Sequence, residues 1–165
     1  MLNLPVTWNR EFIYDKYVRS DPNNLDLTGM IEFLHDRERN EGIKSVVKTV
    51  GHAGGVLTVR RVFVELDHAM AEYARGGDSN VVLFDPTWGT NRSGLKLAMF
   101  VTIGSSGQSV VLAFVLIKYE DQFDIEWAFR CFHWAFKRRP EVLLTDDAAS
   151  IAAVSSSFCT GCLMD

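Results

Sequence analysis

Two periodicities of apolar positions mark out the elements of this chain. Over residues 26–40, Leu27, Met30, Ile31 and Leu34 recur at i, i+3, i+4 and i+7, the single apolar stripe of a helix. Asp26 stands at the position of an N-cap and Gly42 at that of a C-terminal glycine, while His35 to Arg39 form the solvated end. Two β-type runs follow, 44–50 and 56–64, joined by Gly51-His52-Ala53-Gly54-Gly55 in the manner of a hairpin; His52 reads as a turn residue. A short helix is predicted over 65–74, with Met70, Tyr73 and Ala74 as packing residues, ending at Gly76-Gly77-Asp78.

The second half reads as a unit. Residues 81–84 are continuously apolar, as a central strand is, and Asp85-Pro86-Thr87 is expected to stop it because proline cannot donate to a ladder. Strands at 97–103 and 109–117 flank a Gly-Ser turn, and three strands on short connections are most simply antiparallel. A helix is predicted over 122–137: Phe123, Trp127, Cys131 and Trp134 repeat at helical spacing, and Ala128, Phe132 and Ala135 widen the face. All of these are expected in the core, and Pro140 closes the helix. Residues 142–145 form a fourth strand reached through a helix, hence parallel to the first, and another helix begins near 148. The expectation is an α/β fold with a mixed sheet of the RNase H-like order, three antiparallel strands and then a parallel fourth, with flanking helices. A small α+β segment, 1–77, precedes that core at 78–165.

Composition narrows the classes. With 165 residues, 47% apolar and 23% charged, the chain can bury a core and is not of disordered composition. A net charge of −4 argues against tight, phosphate-driven DNA binding by this segment alone; basic residues adjoin only at Arg60-Arg61 and Lys137-Arg138-Arg139. No apolar run is long enough to span a bilayer, and the first thirty residues lack a signal-peptide pattern, so no membrane role is expected. Three cysteines, an odd count, point to a reducing compartment, intracellular or nuclear. Cys159 and Cys162 have C-x-x-C spacing, but a zinc site needs four ligands and no second pair follows; ordinary thiols are the simpler reading.

The candidate chemistry lies in two strands that end in acids, Val81-Val82-Leu83-Phe84-Asp85 and Leu143-Leu144-Thr145-Asp146-Asp147. The predicted order brings Asp85 and Asp146 side by side at one end of a sheet. Paired carboxylates are what a divalent cation needs, and metal-assisted phosphoryl transfer is built on such pairs. Plainer roles exist: Asp85 can end its strand and cap a turn, and Asp146 or Asp147 can cap the next helix. Thr87 and Asn91 can shape the loop, Trp88 can pack or offer a stacking surface, and Glu120 could stand in as a nearby third acid.

The run Val82-Leu83-Phe84-Asp85-Pro86-Thr87-Trp88-Gly89-Thr90-Asn91-Arg92 resembles the opening motif of Mutator-like (MULE) transposase domains, D-x-T-[YW]-x-T-N. Leu97 to Val101, Gly107 to Val110, Glu120 with Trp127, and Pro140 to Asp146 resemble later parts of that domain, so the likeness covers about 78–158. The resemblance implies a DDE centre in which two aspartates and a glutamate hold Mg²⁺ or Mn²⁺ for cleavage and transfer of DNA strands. Asp85 matches the first acid and Asp146 the second, as metal ligands and catalytic residues; the glutamate falls beyond Asp165. A C-terminally incomplete core, weak metal binding and no transposition by this chain alone are therefore expected. The resemblance extends to SWIM zinc-finger proteins and plant transposase-derived regulators, which implies an alternative: a non-catalytic module that binds DNA or protein partners.

Overall fold

A computed structural model of the chain describes residues 27–51, 57–66, 68–75, 81–87, 94–104 and 106–146, together with Ile151, Val154 and Phe158. Its elements are α1 (Leu27–Glu41), β1 (Ser45–Gly51), β2 (Leu57–Glu65), α2 (Ala69–Arg75), β3 (Val81–Thr87), β4 (Lys96–Ile103), β5 (Ser109–Ile117), α3 (Gln122–Phe136) and β6 (Val142–Thr145). One mixed sheet of six strands runs in the order β1-β2-β5-β4-β3-β6. Neighbours are antiparallel except β3 and β6, which are parallel, as expected for strands joined through a helix. The hairpin formed by β1 and β2 belongs to the same sheet, because β2 pairs with β5 from Arg61↔Ile117 to Glu65↔Ala113.

Strand alternation gives the sheet two different faces. On one, Phe63, Val82, Phe84, Ala98, Phe100, Val115 and Ile117 meet α2, α3 and the helical residues Ile151, Val154 and Phe158. Aromatic rings fill this layer: Phe84 lies 4.7 Å from Phe100 and 5.0 Å from Phe129, and Phe100 lies 4.6 Å from Phe132. On the other face Leu34 of α1 and Ile43 cover Val62 and Val64. Gly42 takes a left-handed φ of 68°, the helix-ending conformation its position predicts. The side chains of Leu27, Met30 and Ile31, the Asp26 cap and His52 lie outside the described residues.

Four expectations are corrected. First, β2 continues through Glu65, and α2 starts at Ala69. Burial of Glu65 lifts its carboxyl above the ordinary range, against the pull of Lys44, whose Nζ lies 3.0 Å from Oε2. Second, within α2, Ala69 and Tyr73 are buried while Ala74 is exposed. Third, Pro86 does not stop its strand; it is buried opposite Ala98, and β3 runs on to Thr87. Pairing with β6 ends at Phe84↔Thr145, so beyond it β3 is an edge strand on that side, where proline is tolerated.

The fourth correction concerns α3. Asp121 caps its start by accepting the Asp124 N–H at 2.8 Å, and Lys137 closes it at φ 57° with its N–H donated to the His133 carbonyl. The buried arc is Ile125, Ala128, Phe129, Phe132, Ala135 and Phe136, whereas Phe123 is 73% and Trp134 45% exposed. Two lines of apolar residues share helical spacing here, and only the one centred on Phe132 faces the sheet. Cys131 is buried, and desolvation pushes its thiol up to about 12. At pH 8 about one Cys131 in 10,000 would be the reactive thiolate. We expect iodoacetamide to leave Cys131 unmodified in the native chain and to alkylate it in urea, as read by peptide mass mapping; native labelling at the unfolded rate would refute its burial. Among the described residues, no helix is long and apolar enough to cross a membrane.

Candidate functional site

The parallel pairing of β3 with β6 aligns Val82 with Leu143, Leu83 with Leu144 and Phe84 with Thr145. Asp85 and Asp146 each follow the last aligned pair by one residue, so the two acids stand level where the β3–β6 pairing ends, Asp85 still within β3 and Asp146 just past β6. Phe84 faces the aromatic layer, and alternation turns Asp85 to the opposite face; Asp146 follows Thr145 with the same alternation. Both aspartates are exposed. Their base is rigid: the Phe84 ring is held between Phe100 and Phe129, Asp85 is registered against Met99 of β4, and the Thr102 hydroxyl donates to the Val81 carbonyl at 2.8 Å.

Other acids are engaged elsewhere. Glu120 is ion-paired with Lys96. Asp124, fully buried, accepts from Arg61 Nε at 2.5 Å and from the Tyr119 N–H at 2.8 Å, and Arg60 approaches it at 3.5 Å. This arginine–aspartate cluster bolts β2 to the start of α3, and the pattern reading missed it. Its trace in sequence is Asp121 three residues before Asp124 at a helix start, opposite a strand carrying adjacent arginines. Among the described residues, no group of three or more His, Cys, Asp or Glu side chains is placed to hold a metal ion. Thr87 is the last residue of β3, opposite Leu97. The side chain of Thr87, and Trp88, Asn91, Asp147, Cys159 and Cys162, lie outside the described residues.

The described fold is an α/β mixed sheet in which Asp85 and Asp146 each follow the last paired residue of two adjacent parallel strands. The family model of the MULE transposase domain matches residues 81–160, from β3 to past β6, and takes in both Asp85 and Asp146. Residues 81–160, just under half of the chain, thus match a Mutator-like transposase domain. No curated protein matches the chain, and no solved structure does.

Proposed function

We propose that the chain is part of a transposase-derived protein whose RNase H-like sheet presents Asp85 and Asp146 as two acids of a DDE-type centre for metal-dependent cleavage and transfer of DNA strands. The observation that supports this reading is the parallel register of β3 and β6, in which Asp85 and Asp146 each follow the last aligned pair, Phe84 and Thr145. The donor set suits a hard cation. Mg²⁺ and Mn²⁺ bind through one or two carboxylates and take their remaining ligands from water and substrate phosphates. Asp85 and Asp146 would hold the ion, and their exposure leaves room for a phosphodiester beside it. When bound, the ion supplies Lewis acidity and an activated oxygen nucleophile. The rigid strands below fix the spacing of the two carboxylates. Residues 1–77 would accompany this core as an α+β segment joined to it through β2 and β5.

A second reading, a non-catalytic binding module, draws support from the net charge of −4, which favours a protein partner over a polyanion. Calorimetric titration with Mn²⁺ tests the first. The wild-type chain should give a weak, saturable heat, and Asp85→Asn or Asp146→Asn should each weaken binding at least about tenfold, about 1.4 kcal/mol. Binding unchanged in both variants would remove the metal centre and leave the binding-module reading.

A further inference from the structure

The far end of α3 carries a groove of about 540 Å³, in the range of ligand pockets. Phe129, Val154 and Phe158 form its apolar lining, with the Phe129 and Phe158 rings stacked at 4.6 Å. Trp134, 45% exposed, lies along it, and Lys137 Nζ sits 5.9 Å from the centre of the indole. Among the described residues that line it, Arg130, Lys137 and Arg139 are three cations and Glu126, paired with Arg130, is one anion. In a chain of net charge −4 this is a local reversal of sign. Moreover, Phe123, Arg130, Trp134 and Lys137 fall at i, i+7, i+11 and i+14, an exposed line of aromatic and cationic side chains, whereas Trp127 at i+4 packs against the core and Arg61.

We infer that this groove binds single-stranded DNA, with a base stacked on Trp134 and backbone phosphates held by Arg130, Lys137 and Arg139. An exposed indole beside cations offers a flat surface to any unpaired base and a charged track to the backbone, the two components of sequence-tolerant strand binding. A duplex hides the faces of its bases and fits this arrangement poorly. The groove is separate from the acid pair. The strand β5 runs in the same direction as β3, so α3 starts at the sheet edge where Asp85 and Asp146 lie; Trp134 lies near its other end, about 20 Å along the axis. The choice of DNA over RNA rests on the transposase reading above; the recognition chemistry does not.

The test is fluorescence anisotropy of a labelled oligothymidylate of about twelve nucleotides, in EDTA and at low salt. Binding should persist without divalent metal, weaken about tenfold in Trp134→Ala and be largely retained in Trp134→Phe. The Lys137→Ala/Arg139→Ala pair should lower the slope of log affinity on log salt by about 1.4, for two lost phosphate contacts. No binding by the wild-type chain, a Trp134→Ala variant that binds like wild type, or a duplex held as tightly as the single strand would overturn the inference. Because the assay contains no metal, these outcomes leave the Mn²⁺ titration to decide the acid pair independently.

Discussion

Asp124→Ala is expected to destabilise the chain by about 3–5 kcal/mol, the range for breaking a buried ion pair from one side. The carboxylate is fully buried and serves three partners at once: the Arg61 guanidinium, the more distant Arg60 and the Tyr119 N–H. Its removal strands the mostly buried Arg61 charge beside Trp127 and orphans a backbone donor. Such a cost far exceeds the ~0–1 kcal/mol of an exposed pair such as Arg130 with Glu126, where the arginine is largely solvated. The loss should appear in urea unfolding as a lower midpoint at unchanged slope. Asp124→Asn should lose less, since its amide oxygen can still accept the Tyr119 N–H. A loss below about 1 kcal/mol in Asp124→Ala would show that Arg60 and Arg61 find solvent or other partners without it.

The same cluster shows where pattern reading ends. The strands around Asp85 and Asp146 are legible because each is a short, unbroken apolar run between turn residues; β5 and β6 fall at the predicted residues 109–117 and 142–145, although β6 is an edge strand whose Val142 and Leu144 stay exposed. The parallel placement of β6 followed from a helical crossover, a local rule with one dominant outcome. That β2 would pair with β5, across an intervening helix and two strands, had no such local signature; any edge strand could have received the hairpin. Period alone could not orient α3, because two apolar lines occur on it and only tertiary contact selects between them. Helical spacing therefore assigns Trp134 to the core, whereas it is 45% exposed and lies along the basic groove. The aspartate after each apolar run, by contrast, is visible in one dimension, although β3 continues past Asp85 to Thr87.

Phe100→Ala should cost a similar ~3–5 kcal/mol, the usual loss for truncating a core aromatic ring. Phe100 is fully buried on β4, between Phe84 on β3 and two rings of α3, Phe129 at 5.6 Å and Phe132 at 4.6 Å. Truncation removes these ring contacts and opens a cavity where strand and helix layers meet, a place with little room to collapse because its neighbours are rings held by further rings. For a chain of this size the melting temperature should fall by roughly 6–20 °C. Phe100→Leu, which keeps most of the volume, should lose less than half as much. A Phe100→Ala chain melting within about 2 °C of wild type would contradict this packing. The substitution also reaches the acids: Phe84 precedes Asp85 and is the residue registered against Thr145, so a looser Phe84 widens the spread of carboxylate positions. If the proposed pair binds Mn²⁺, Phe100→Ala should weaken that binding even at temperatures where the chain stays folded, though it removes no ligand.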